Sequence, residues 1–123
     1  MQLQDLIQNP RFKKKFVLEK LLMHFLHKTR TELRTDANQE LDPALVAKIE
    51  KDYLAYEIEE KPLEYILGFV EFFGIPFEVN EDTLIPRPET EYMITAITEY
   101  LQTQKKEKSE WIAMDIGTGC GVL

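Results

Sequence analysis

The sequence predicts a mainly α-helical chain: an N-terminal helical bundle, then a β-hairpin linker, then the beginning of an α/β domain. Three observations predict this fold class. Apolar residues recur at helical spacing over most of residues 1–68, and short aromatic and β-branched runs follow Gly68. A glycine-rich loop then comes directly after a short apolar run at residues 111–114.

Composition narrows the class of protein. The 123 residues are enough for one ordinary domain, and 44% hydrophobic with 30% charged residues is typical of a soluble globular chain. The single cysteine, Cys120, allows no internal disulfide and is too few for a cysteine-based zinc site. No apolar run approaches the ~20 residues that span a bilayer, and no signal peptide is recognisable. We therefore expect a cytoplasmic protein without a membrane partner.

Charge is distributed unevenly along the chain. The net charge of −7 argues against direct nucleic-acid binding, because an acidic chain repels phosphate. Residues 1–34 nevertheless hold eight Lys and Arg against three acidic residues, whereas residues 35–123 hold seven against nineteen. This asymmetry indicates two functional parts.

The strongest helical pattern lies in the basic part. Its apolar residues recur at spacings of three and four: Phe12, Phe16, Val17, Leu21, Leu22, Phe25 and Leu26. That spacing predicts a helix over residues 12–27 with one buried face. Thr29 and Glu32 match the capping-box pattern, which predicts a short helix over residues 30–34.

Further helices complete the predicted bundle. Asp42 and Pro43 form an N-cap followed by a proline at the first helical position, and the apolar stripe behind them predicts a helix to about residue 59. Another short helix is predicted over residues 63–67, between Pro62 and Gly68. We expect residues 1–68 to form one helical domain.

A hairpin is predicted after Gly68. Two short strands, residues 69–73 and 77–79, are separated by a turn at residues 74–76. The segment up to residue 86 is interpreted as a linker, and residues 87–123 as the start of a second domain.

That second domain is predicted to begin with a helix. Pro88 opens it, and an apolar stripe continues to residue 101. The charged run at residues 102–110 predicts a solvated loop, and residues 111–114 predict a buried parallel strand that ends at Asp115.

The glycine loop after that strand indicates a cofactor site. Gly117, Gly119 and Gly121 let the backbone turn sharply and approach a ligand where a Cβ would collide. The dinucleotide fingerprint requires glycine where Val122 stands, and the lysine of a phosphate-binding loop is absent. The pattern instead resembles the first motif of S-adenosylmethionine-dependent methyltransferases. A merely tight turn is the alternative.

Three upstream segments carry a more specific resemblance. They are Pro62-Leu63-Glu64-Tyr65-Ile66-Leu67-Gly68, then residues 71–79, then Leu84-Ile85-Pro86-Arg87-Pro88-Glu89-Thr90-Glu91. In this order they closely resemble the HemK/PrmC family, the protein-(glutamine-N5) methyltransferases of class I peptide chain release factors. The resemblance implies a helical substrate-recognition domain, a hairpin linker and a Rossmann-like methyltransferase domain. It also implies methyl transfer from S-adenosylmethionine to the glutamine of a Gly-Gly-Gln loop in translation termination.

The resemblance carries site residues over by position. Those matching the family's cofactor loop are Asp115, Gly117, Thr118, Gly119, Cys120 and Gly121. Leu84 and Arg87 match the linker segment near the cofactor pocket. Alternatively, that segment chiefly sets the entry angle of the following helix.

The family's Asn-Pro-Pro-Tyr loop, which orients the substrate amide, does not occur in these 123 residues. No catalytic residue is therefore assigned. A parallel strand also needs a crossover of ~30 residues and a partner strand, whereas two residues follow Gly121. We expect this chain to be a fragment that is inactive alone and binds S-adenosylmethionine poorly. Residues 102–123 are expected to be poorly packed, misplaced or held by another chain.

Other patterns are weaker. His24 and His27 lie three apart but lack a further ligand at suitable spacing, so no metal site is predicted. A basic cluster suits either an acidic partner or a solvated helix face: Arg11, Lys13, Lys14, Lys15 and Lys20. Two other functions remain as alternatives, a methyltransferase acting on amino groups of nucleic acid and a stand-alone helical binding module.

Overall fold

The computed structural model describes residues 1–104, 107 and 110–123, which form two compact units, Met1–Leu67 and Gly68–Leu123. The elements are α1 (Leu3–Gln8), α2 (Lys15–Leu26), α3 (Arg30–Thr35), α4 (Pro43–Glu57), α5 (Leu63–Leu67), β1 (Phe69–Phe72), β2 (Ile75–Glu78) and α6 (Thr90–Thr103). The mainly α-helical class with a β-hairpin and a following helix is confirmed. None of the helices in the described ranges is long and apolar enough to cross a membrane.

The core of the first unit lies between α2 and α4. The buried residues of these two helices are Val17, Leu18, Leu21, Leu22, Val46, Ile49 and Tyr53. They recur at three- and four-residue spacing, which places them on one face of each helix. The predicted helices at residues 12–27 and 43–59 are thus confirmed in position, although α2 begins three residues later and α4 ends two residues earlier.

Helix α1 was not predicted from the sequence. Its buried residues, Leu3 and Leu6, join the same core. The backbone N–H groups of Leu3 and Gln4 donate to the carbonyls of Gln39 and Ala37, both at 2.9 Å. A six-residue helix is marginal by itself, so these contacts with a distant segment determine that it forms.

Local capping starts α3 and α4 as predicted. The Thr29 hydroxyl accepts the Glu32 N–H at 3.3 Å, and the Glu32 carboxylate accepts the Thr29 N–H at 2.7 Å, which completes a capping box. These hydrogen bonds from Thr29, the backbone one first, hold the pKa of Glu32 below its ordinary value. Asp42 caps α4 by accepting the Ala44 N–H at 3.2 Å, ahead of Pro43.

Replacing Thr29 by alanine is expected to lower the free energy of unfolding of the first unit by about 1 kcal/mol, because a helix N–H loses its acceptor. Urea denaturation followed by circular dichroism measures this change. Thr31→Ala, at an exposed position of α3, is the matched control and should cost less. Equal losses for both variants would contradict the capping role.

The capping box also predicts a pH dependence. Since the pKa of Glu32 is lowered in the folded state, the stability that its carboxylate adds is present above about pH 4.5 and is lost on acidification.

The hairpin pairs β1 and β2 antiparallel, with Phe72 opposite Ile75. Its two turn residues, Phe73 and Gly74, both have positive φ, 49° and 71°. The predicted turn at residues 74–76 and strand at residues 77–79 are therefore wrong in register. Pro76 lies inside β2, where the two-stranded sheet tolerates a residue without a backbone N–H.

Helix α6 begins at Thr90, shortly after Pro88, and ends at Thr103, so it takes up the start of the predicted loop at residues 102–110. Residues 105, 106, 108 and 109 of that loop lie outside the described residues. The strand predicted at residues 111–114 is wrong: these residues form no strand, and Ile112 is 95% exposed. A strand requires a hydrogen-bonded neighbour, and the described part of the chain pairs none with this run.

Candidate functional site

The glycine loop has the backbone conformation that selects glycine. Gly117, Gly119 and Gly121 have φ of 76°, 59° and 81°. A Cβ added at any of them meets no atom within 4 Å. The glycines are therefore required by left-handed backbone conformation and leave open space beside the chain.

The other residues of the loop are mostly exposed. Asp115 and Thr118 are exposed, and Cys120 is a half-buried free thiol. The Thr118 carbonyl accepts the Gly121 N–H at 2.9 Å, which closes a tight turn across the last two glycines. The loop thus presents a carboxylate, a hydroxyl and bare backbone to solvent.

Leu84 and Arg87 lie in the segment before α6. The Leu84 side chain is 82% exposed, and that of Arg87 is also exposed. The Arg87 carbonyl accepts the Thr90 N–H at 3.0 Å, so the backbone at this position takes part in the start of α6. Across the described residues, the structure records no hydrogen bond or ion pair between either residue and the glycine loop.

The contact between Phe73 and Glu91 in the second unit was not predicted from the sequence. Glu91, in the first turn of α6, accepts the backbone N–H of Phe73 at 2.7 Å from the hairpin turn. Both line a groove of about 410 Å³, together with Pro88, Glu89, Tyr92 and Thr95. In the sequence, Glu91 belongs to the segment Leu84–Glu91 and stands near a predicted helix N-terminus, and neither feature reveals a partner 18 residues away.

The basic cluster of the first unit is partly engaged in its own fold. Lys15 Nζ donates to the carbonyls of Ile7 and Asn9, both at 2.7 Å, and Arg11 lies 3.5 Å from Glu50. Lys14 Nζ lies 4.7 Å from the centre of the Tyr56 ring. Lys13 and Lys20 are exposed. The structure therefore gives three of the five cations a role within the bundle.

His24 and His27 lie at the end of α2, where His27 takes a left-handed conformation with φ of 52°. Burial is the main cause that lowers the pKa of His24, followed by the nearby positive charges of His27 and Lys48. Asp52 acts in the opposite direction. Within the described residues, no group of three or more His, Cys, Asp or Glu could hold a metal ion.

The lowered pKa of His24 predicts a pH dependence of stability. The unfolded chain takes up a proton at this residue near pH 6.5, before the folded chain does, so stability is highest above pH 6.5 and falls as the pH decreases. We expect the urea midpoint of the first unit to fall between about pH 7.5 and 5.5, and His24→Gln to flatten this profile.

His27→Asn is the matched control, because asparagine tolerates the left-handed conformation. This variant removes the charge of His27, which lowers the pKa of His24 less than burial does. Most of the pH dependence of the urea midpoint should therefore remain. A profile equally steep in His24→Gln would show that another group titrates.

The chain thus consists of a helical N-terminal unit followed by a hairpin, a helix and a glycine-rich segment. The family model of the PrmC N-terminal domain matches residues 2–68, more than half of the sequence. The chain belongs to this family, and the resemblance to HemK/PrmC is confirmed.

Relatives extend the similarity beyond the helical unit. A protein named release factor glutamine methyltransferase from Flavobacterium psychrophilum is 50% identical over 66 residues, covering 53% of this chain and 22% of that protein. One with the same name from Bacillus cereus is 34% identical over 105 residues, 85% of this chain and 36% of the relative. A third protein of this name, from Haemophilus influenzae, is 32% identical over 117 residues, which cover 94% of this chain and 40% of that protein. The chain thus spans between about a fifth and two fifths of the length of these relatives.

Proposed function

We propose that this chain is part of an S-adenosylmethionine-dependent methyltransferase that modifies the glutamine side chain of class I peptide chain release factors. One observation carries the proposal: similarity to proteins named for this activity covers 94% of the chain and so includes both of its units. In this reading residues 1–68 form the substrate-recognition domain, residues 69–86 the hairpin linker and residues 87–123 the beginning of the methyltransferase domain.

The glycine loop fits the proposed cofactor. Its positive-φ glycines carry no side chain, and nothing occupies the space where their Cβ atoms would lie. The exposed Asp115 carboxylate suits a ligand with positive charge, and the Thr118 hydroxyl adds a donor and an acceptor. We assign Asp115, Gly117, Thr118, Gly119, Cys120 and Gly121 to cofactor binding. When bound, S-adenosylmethionine supplies a methyl group activated by its sulfonium.

The chemistry assigned to this chain is binding and orientation. An amide nitrogen is a poor nucleophile because its lone pair is delocalised into the carbonyl, so the reaction depends on positioning by preorganised groups. Backbone at the glycine loop and the Asp115 carboxylate would hold the cofactor. The helical unit would hold the release factor, and its exposed Lys13 and Lys20 would attract acidic surface. No residue of this chain is assigned to contact the reacting amide.

Methyl transfer tests the proposal directly. The gene is read past the codon for Leu123, and its product is incubated with methyl-labelled S-adenosylmethionine and a class I release factor. We expect label on the Gly-Gly-Gln glutamine and an Asn-Pro-Pro-Tyr sequence within about the next 100 residues, the length of a typical domain. Gly119→Val should abolish labelling, whereas Ala96→Val, at an exposed position of α6, should not. A product that labels a nucleic acid instead, or nothing, contradicts the proposal.

The chain by itself is proposed to be inactive. Calorimetric titration of S-adenosylmethionine into the 123-residue protein should give no specific heat of binding, since the described residues pair no strand with the run before Asp115 and so leave the glycine loop without a supporting sheet. Micromolar affinity would contradict the view that these residues hold only part of the pocket. Specific binding of a partner other than a release factor, without cofactor affinity, would instead favour a stand-alone binding module.

A further inference from the structure

The turn of the β-hairpin contains a backbone donor outside the strand ladder. Phe72 pairs with Ile75, so the N–H of Phe73 has no partner in the ladder. Phe73 also has a φ of 49°, a left-handed conformation that disfavours a residue with a bulky side chain. Asparagine or glycine is the usual choice at this position of a two-residue hairpin turn. Such a conformation persists only where surrounding contacts hold it.

The contact that holds this turn comes from α6. Glu91 Oε1 accepts the Phe73 N–H at 2.7 Å, a distance typical of a charge-assisted hydrogen bond. Glu91 lies in the first turn of α6, where the positive end of the helix dipole favours a carboxylate. Phe73 also lines a second groove along α6, of about 330 Å³, with Ile94 and Thr95. Phe73 therefore lies beside the first turns of α6.

The chain between the two partners is shaped by its own hydrogen bonds. The Val79 N–H donates to the Gly68 carbonyl at 3.0 Å, and Asn80 Oδ1 accepts the N–H of Asp82 at 3.0 Å and the hydroxyl of Thr83 at 2.7 Å. At the other end, the Arg87 carbonyl accepts the Thr90 N–H. The bond between Phe73 and Glu91 closes this segment across the 18 positions that separate them.

We propose that Glu91 is a positioning residue: its carboxylate fixes the Phe73–Gly74 turn to the first turn of α6 and so holds residues 79–90 as a closed loop. This link, the hydrogen bond between the Phe73 N–H and the Glu91 carboxylate, is independent of the proposed function. Its consequence, that Leu84 and Arg87 are presented in a defined direction for ligand binding, rests on that function. Glu89, which lines the same groove, does not make this bond and is the natural comparison.

Amide exchange of the 123-residue chain, followed by nuclear magnetic resonance, tests the link. Glu91→Ala should raise the exchange rate of the Phe73 amide about tenfold and shift its proton resonance, because the acceptor is lost. Glu91→Gln keeps a neutral acceptor oxygen and should give an intermediate rate. Glu89→Ala is the matched control and should leave Phe73 unchanged. Amides of Met1–Leu67 report that the first unit remains folded.

A second measurement compares the unaltered chain with the conservative variant Glu91→Gln alone. In the unaltered chain, the Phe73 amide proton should resonate downfield of its position in Glu91→Gln, because a carboxylate is a stronger hydrogen-bond acceptor than a neutral amide oxygen. An unchanged Phe73 exchange rate in Glu91→Ala, an equal effect of Glu89→Ala, or a Phe73 resonance at the same position in the unaltered chain and in Glu91→Gln would each overturn the proposal. If the link is found but no release factor is methylated, the link stands and the proposed function fails.

Discussion

Replacing Tyr53 by alanine is expected to lower the free energy of unfolding of the first unit by about 3–5 kcal/mol, the range for removing an aromatic side chain from a core. The ring is 1% exposed and packs edge-on against Phe12, with the ring centres 4.8 Å apart. Its hydroxyl accepts the Lys14 N–H at 2.9 Å and donates to Glu57 at 3.4 Å. Urea denaturation followed by far-ultraviolet circular dichroism measures the loss.

Two variants separate the causes of that loss. Tyr53→Phe keeps the ring and should cost only about 1 kcal/mol, because it leaves the Lys14 N–H without its acceptor. Tyr100→Ala makes the same truncation at a residue that is 59% exposed, so it should change stability little. If Tyr53→Phe were as damaging as Tyr53→Ala, the hydroxyl and not the ring would be the main contribution.

Leu21→Ala is expected to cost about 2–5 kcal/mol of unfolding free energy, since it opens a cavity in the core between α2 and α4. Leu21 is 0% exposed and belongs to the buried cluster that includes Ile49 and Leu22. The same denaturation experiment applies, and the midpoint should fall while the slope stays unchanged.

Leu84→Ala is the matched control, because it removes the same atoms from a side chain that is 82% exposed. It should change stability by less than about 0.5 kcal/mol. A comparable loss in the two leucine variants would mean that Leu84 is buried in solution, against the structure.

The helices of the first unit were predictable because their signals are local. The apolar stripe of α2 and the capping box at Thr29 each lie within a few turns of chain, and the structure places both where the pattern indicates. Helix α1 was missed because it depends on carbonyls of Ala37 and Gln39, more than 30 positions away. No periodicity within six residues carries that information.

In the second unit, several features could not be predicted from local sequence signals. A hairpin was predictable from its residue types, but its register was not, because Gly74 and Pro76 both resemble turn residues. The structure places the turn at Phe73 and Gly74, where a left-handed phenylalanine is held by Glu91. The strand expected before Asp115 does not form. An apolar run becomes a strand only when another strand pairs with it, which the run itself does not reveal.

The candidate site was predictable in its residue types. Alternate glycines after an apolar run indicated the loop, and the left-handed φ of all three shows why glycine is needed there. The assignment of Asp115, Thr118, Leu84 and Arg87 to a cofactor stays a prediction, since the described residues join neither Leu84 nor Arg87 to the loop by a hydrogen bond or ion pair.

By itself, the sequence determined the mainly α-helical class, the approximate positions of five of the six helices in the described residues, the presence of a hairpin and the resemblance to the HemK/PrmC family. The class, the helices and the hairpin follow from periodicity, caps and turn residues, whose physical effects act within about a turn of chain. The family resemblance follows instead from the motif segments between Pro62 and Glu91. Tertiary structure alone decided α1, the hairpin register and the bond between Phe73 and Glu91. Helix α1 and the bond between Phe73 and Glu91 depend on hydrogen-bond partners that are distant in sequence and become neighbours only once the chain has folded. The hairpin register depends instead on which of several nearby turn residues the strand pairing and Glu91 select.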